Sequence, residues 1–151
     1  MRRGLLALLT MACLFGVASG QMPPGAVLPP TVKWEETPLL PGAKIAVLYG
    51  DLAKPGLATV RFLFPANYRV PAHHHSVTEN LTVISGTIYD GLGERVDRSK
   101  ATAYPAGSFF VLPANNSHFL WTTDQEAVLQ VSVMGPFNMT FVDPAEDPRK
   151  K

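Results

Sequence analysis

Apolar residues in this chain come in short runs between glycines, prolines and asparagines. Lys44 to Tyr49 (KIAVLY) and Ala58 to Phe64 (ATVRFLF) are the first two β-rich runs. Asn80 to Tyr89 (NLTVISGTIY) is a third, broken at Gly86, and the Asp90-Gly91 that follows is a hairpin-turn signal. Ser108 to Leu112 (SFFVL), His118 to Thr122 (HFLWT), Ala127 to Met134 (AVLQVSVM) and Asn138 to Val142 (NMTFV) complete the set. No segment has the periodicity of an amphipathic helix, and no segment repeats. Many short strands with Gly/Pro turns predict an antiparallel sandwich or barrel. Gln21 to Thr31 is too rich in proline to pack as a regular element, and Pro144 to Lys151 reads as a polar tail.

Length and composition narrow the picture. A chain of 151 residues suits one domain, and a hydrophobic content of 46% is ample for a core. The 14 prolines and 12 glycines fit frequent turns. The expected organisation is a leader over residues 1–20, a lead-in over 21–40, the β-domain over 41–143 and the tail over 144–151.

The leader has the three parts of a secretory signal peptide. Arg2 and Arg3 supply the positive end, Leu5 to Val17 the apolar stretch, and Ala18-Ser19-Gly20 the small residues for cleavage before Gln21. A membrane anchor would need about 20 apolar residues, more than this run offers. Cys13 sits inside the apolar stretch, which suits a lipobox poorly, and the arginine pair is an incomplete twin-arginine signal. The expectation is an exported, periplasmic or secreted protein with no stable membrane insertion. Cleavage near Gly20 removes the only cysteine, leaving no disulfide and no thiolate ligand. Without Arg2 and Arg3, eleven basic residues face 12 acidic ones, a net charge of −1. No basic patch stands out, so nucleic acid has no support as a partner.

The candidate chemistry lies in "VPAHHHSVTENLTVISGT", residues 70 to 87. His73 and His75 are two apart, so a short strand presents both rings on one face while His74 points away. Glu79 shares parity with Leu81 and Val83, whose apolar side chains belong inside, so its carboxylate is expected inside too. Pro71 is tolerated at a strand start or edge. The chain has only four histidines, and the last, His118, follows the strand-turn-strand run "PAGSFFVLPANNSHFLW".

These residues carry a family resemblance. His73-x-His75, three residues, Glu79, six residues and Gly86 are similar to the first motif of the cupin superfamily. The second motif is matched by Gly107, Pro113 and His118. Asn67 and Asn115 stand where the motifs have glycine, and asparagine tolerates the left-handed backbone such positions need. Thr122 replaces a final asparagine. The ending "GPFNMTFVDPAEDPR" resembles a group of small exported bacterial cupins of unassigned activity. The resemblance implies an all-β fold, a single-domain cupin jelly-roll barrel (antiparallel double-stranded β-helix). It implies His73, His75, Glu79 and His118 as ligands of one divalent transition metal per chain. It also implies a homodimer.

Three nitrogens and one oxygen would leave two positions of an octahedral metal open, the arrangement of a reactive centre rather than a closed structural one. Mn, Fe, Zn, Ni and Cu all suit imidazole with carboxylate, so the metal's identity stays open. Two functions compete. One is a metalloenzyme acting on a small oxygen-rich substrate, with oxygenase, oxidase, decarboxylase or isomerase chemistry. The other is a non-catalytic metal- or ligand-binding periplasmic module. The sequence names no general acid or base. Tyr68, Thr87 and Tyr89 are expected to pack rather than react, and Phe62, Phe64, Phe110 and Phe119 to be core or lining aromatics. Gly91-Leu92-Gly93 is expected to be a hairpin, not a nucleotide loop.

Overall fold

The computed structural model describes residues 25–150. The signal peptide expected over residues 1–20 lies outside the described residues. Eleven strands make up the frame: β1 (Glu35–Glu36), β2 (Lys44–Tyr49), β3 (Gly56–Phe64), β4 (Arg69–His74), β5 (Glu79–Ser85), β6 (Thr87–Leu92), β7 (Ala101–Pro105), β8 (Phe109–Leu112), β9 (His118–Trp121), β10 (Ala127–Gly135) and β11 (Thr140–Phe141). They form two antiparallel sheets. The six-stranded sheet has the order β1-β2-β3-β10-β5-β8 and the five-stranded sheet the order β11-β4-β9-β6-β7. The only helical turns among the described residues are three short 3-10 segments at Pro29–Thr31, Arg98–Lys100 and Pro148–Lys150. No described helix is long and apolar enough to cross a membrane.

Alternation along the strands makes the interior. On β3 and β10 every second residue is buried and the others are partly or fully exposed. Register aligns the buried sets: Phe62 lies opposite Leu129, and Val60 opposite Val131. On the other side of β10, Leu129 pairs with Val83 and Val131 with Leu81. A slip of one residue would turn every one of these side chains outward, so the apolar pattern itself holds the register. Val70, Ile88 and Leu120 from the second sheet close the core from across the sandwich. Two antiparallel sheets closed face to face are the sandwich that the strand pattern predicts, in the jelly-roll form that the resemblance implies.

Backbone conformation explains the motif substitutions. Asn67 (φ 58°) and Asn115 (φ 64°) are the two non-glycine residues with positive φ among those described. Asparagine keeps the left-handed turn that glycine would otherwise supply. Gly86 (φ 70°) has no such substitute, because a Cβ there would run into the carbonyl oxygen of Glu126. At this residue the chain leaves β5 in one sheet and enters β6 in the other. Thr122 is buried; its hydroxyl donates to the Pro65 carbonyl (2.6 Å) and accepts from the Tyr68 amide (2.9 Å), closing the loop before β4.

Several expectations need correction. Asp90-Gly91 is not a turn: both residues lie inside β6, paired to β7 on one side and β9 on the other. The same holds for Gly91 and Leu92 of the expected Gly91-Leu92-Gly93 hairpin, since the chain reverses between Leu92 and Ala101 instead. Buried pairing on both edges overrides the local turn preference. Ala101–Pro105 forms β7 despite a weak strand composition. The lead-in contributes β1, which pairs with β2, and Leu40, which enters the core.

Candidate metal centre

Three strands deliver four polar side chains to one place inside the sandwich. His73 lies near the end of β4 and His118 opens β9, and the two are direct cross-strand partners. His75 follows the last residue of β4 and still turns inward. Glu79 opens β5 in the opposite sheet, between Leu112 of β8 and Val133 of β10. All four are buried, none more than 4% exposed. One ligand nitrogen from each of His73, His75 and His118 lies within 4.8 Å of the others. Oε2 of Glu79 faces Nε2 of His75 at 3.4 Å and Nε2 of His118 at 3.6 Å.

Each ring is held from behind. Nδ1 of His73 bonds the Pro71 carbonyl (2.8 Å), and Nδ1 of His75 bonds the Asn138 carbonyl. A carbonyl only accepts, so both Nδ1 atoms carry the proton and both Nε2 atoms keep a lone pair. Nδ1 of His118 donates to Oδ2 of Asp90 at 2.8 Å, both side chains buried. Phe137 stacks on His75 with centroids 4.5 Å apart, fixing the ring plane. Outer groups that set tautomer and orientation in this way are characteristic of metal-binding histidines.

The electrostatics favour neutral rings at His73 and His75 and disfavour the charged form of Glu79. Burial holds His73 well below the usual histidine range, with the neighbouring His118 and His75 adding to the effect. Burial likewise lowers His75 to about 4. Glu79 is pushed up to about 7 by burial, against the opposing pull of His118. Burial also raises Asp90, although its bond to His118 works the other way.

Whether these residues fit a metal is decided by their unmet atoms. Oε2 of Glu79 and Nε2 of His118 are buried with no hydrogen-bond partner. A buried polar atom left unpaired costs about 1–3 kcal/mol. Here the orphaned oxygen and nitrogen face each other across the space into which all three imidazole lone pairs point. Three imidazole nitrogens and one carboxylate oxygen suit a divalent transition ion. The three histidines form a group that could hold a metal, and Oε2 of Glu79 lies beside two of them.

All four residues singled out from sequence come together. His74 is half-buried, opposite Thr140 of β11, and does not join them. Tyr68 donates its hydroxyl to the Pro41 carbonyl, and Tyr89 stacks on Trp121, so both pack. Phe62 and Phe64 line the interior, Phe110 stacks on Tyr104, and Phe119 packs with Trp121 in a separate cluster. Sequence reasoning missed Asp90, Phe137 and the Asn138 carbonyl. A signal for Asp90 existed: it has the parity of the buried Ile88, and a carboxylate is a usual partner for a ligand histidine.

Comparison with known proteins agrees with the fold. A family model described as "Domain of unknown function (DUF4437)" matches residues 26–132. No curated protein matches the chain. Among solved structures, the polyketide cyclase RemF from Streptomyces resistomycificus superposes with a TM-score of 0.68 at 19% identity, covering 83% of this chain and 89% of that one. An RmlC-like cupin from Shewanella frigidimarina NCIMB 400 gives 0.56 at 17% identity, covering 71% and 86%. An oxalate oxidase in complex with glycolate gives 0.54 at 25% identity, covering 67% of this chain and 55% of that one.

Proposed function

The chain belongs to the DUF4437 family, a cupin-like domain, and on that premise we propose that it is an exported metalloprotein whose His73, His75, Glu79 and His118 hold one divalent transition metal. The observation that carries the proposal is the pair of orphaned buried atoms, Glu79 Oε2 and His118 Nε2, facing each other among three imidazoles whose tautomers are already set. A stable fold has little reason to bury two such atoms unless something bridges them. A bound ion would act as a Lewis acid or, if redox-active, exchange electrons with a substrate.

The protein's own share of the chemistry is binding, orientation and exclusion. The Pro71, Asn138 and Asp90 contacts hold three lone pairs convergent without reorganisation. The apolar walls keep bulk water away, which strengthens every electrostatic contact inside. Four protein ligands leave room on the ion for oxygen atoms of a small molecule, which favours an enzyme of the oxygenase, oxidase, decarboxylase or isomerase kind.

The test is elemental. Protein expressed with its own leader and purified without chelator or histidine tag is expected to contain about one metal per chain. His75→Ala and His118→Ala are expected to contain none while keeping the wild-type circular dichroism spectrum. Wild-type protein that stays metal-free after reconstitution with each candidate ion sinks the reading.

A further inference from the structure

We infer that this interior takes a small ligand with one chelating end and a short apolar remainder, and rejects a ligand bearing a second carboxylate; the inference rests on the metal reading above. Apart from the four polar side chains already described, every residue lining the cavity is apolar, including Phe62, Phe64, Leu81, Leu129, Val131 and Phe137. Among the described residues no lysine, arginine, hydroxyl or amide side chain lines it. Arg69 and Arg149 lie outside that lining and are paired elsewhere, Arg69 with Glu146 and Arg149 with Asp147.

That inventory decides between substrate classes. The chelating end of a ligand would be neutralised by the ion that the histidines and Glu79 would hold, since those side chains carry no positive charge of their own. A second carboxylate would meet only hydrocarbon. An ionised group taken out of water with no partner is strongly disfavoured, whereas an alkyl group gains by entering the same space. The wall therefore discriminates by the charge of the ligand's far end, not by the chemistry of its head.

Size sets a second limit. The cavity is about 20 Å³, the room of a single water or ion. A ligand's remainder must be short, and it must displace wall atoms to enter. Met139 is placed to yield, since its unbranched side chain adapts readily.

Two probes share one head and differ in the tail. α-Ketoisocaproate ends in a branched alkyl group, and α-ketoglutarate ends in a carboxylate. Each is titrated into the cobalt(II)-loaded protein while the visible absorption of the cobalt is recorded, so the readout is binding rather than turnover. α-Ketoisocaproate is expected to perturb the spectrum with a Kd lower by on the order of 100-fold. Equal or tighter binding of α-ketoglutarate, or no response to either probe in cobalt-loaded protein, overturns this inference and leaves the metal reading standing. Failure to take up cobalt or any of the candidate ions overturns the metal reading and this inference together.

Discussion

Two buried acidic residues in this molecule sit in opposite circumstances. Asp147 is 5% exposed and Glu79 is 4% exposed. Asp147 is fully satisfied by a residue two positions away: its Oδ1 accepts from the Arg149 amide (3.0 Å) and Nε (2.8 Å), and its Oδ2 from Nη2 (2.7 Å). The guanidinium also lies over the Phe141 ring at 5.1 Å and reaches the Met139 carbonyl. Glu79 has one oxygen with no hydrogen-bond partner among the described residues; the nitrogens nearest it are Nε2 of His75 and Nε2 of His118. Burial of a charge is therefore poor evidence of function by itself. What separates the two is whether the buried atoms are satisfied from within the chain.

The largest expected effect that sharpens this contrast is on pH. In the metal-free protein Glu79 is raised to about 7, so it holds a proton below that pH, and a metal must displace it. Metal affinity should be flat above pH 7 and fall about tenfold per pH unit below it. His75, lowered to about 4, adds a second displaced proton only in strong acid. Isothermal titration in buffers of different ionisation enthalpy reads the proton released. An affinity independent of pH between 5 and 7 would mean that Glu79 is not a ligand.

The next effect concerns Asp90. Asp90→Asn keeps the shape but loses the carboxylate that accepts from His118, and metal affinity should drop about 10–100-fold. A chelator competition assay measures the loss, and an unchanged melting temperature of the metal-free variant separates positioning from folding. Unaltered affinity would reduce Asp90 to a packing residue.

The smallest effect is on the satisfied pair. Arg149→Ala should lower Tm by a few degrees and leave metal content at the wild-type level. A loss of metal in that variant would show that the two clusters are coupled through Met139, and the contrast between them would fail.

The strand pattern and the inward parity of His73, His75 and Glu79 were legible because each depends on local spacing, whereas His118 joined them only through the resemblance to the cupin motifs. Alternation in ATVRFLF and AVLQVSVM marks the inward faces of β3 and β10, and the same parity rule places Glu79 with Leu81 and Val83. Asn67 and Asn115 were legible as left-handed positions because few other residues tolerate that backbone. Asp90 was not. Asp-Gly is a strong turn signal over two residues, and only pairing of β6 with both β7 and β9 makes it a strand. The Asn138 carbonyl escaped for a different reason: a backbone acceptor leaves no trace in side-chain identity.

By itself the sequence determined which residues face inward and which side chains could bind an ion, because parity along a strand and the chemistry of histidine and glutamate are properties of neighbours. Only the tertiary structure decided that His118 meets Asp90, that Glu79 Oε2 and His118 Nε2 are left facing each other, and that the surrounding wall carries no cation. Those facts depend on which strands lie side by side and on what fills the space between two sheets, and neither is encoded in any one segment of the chain.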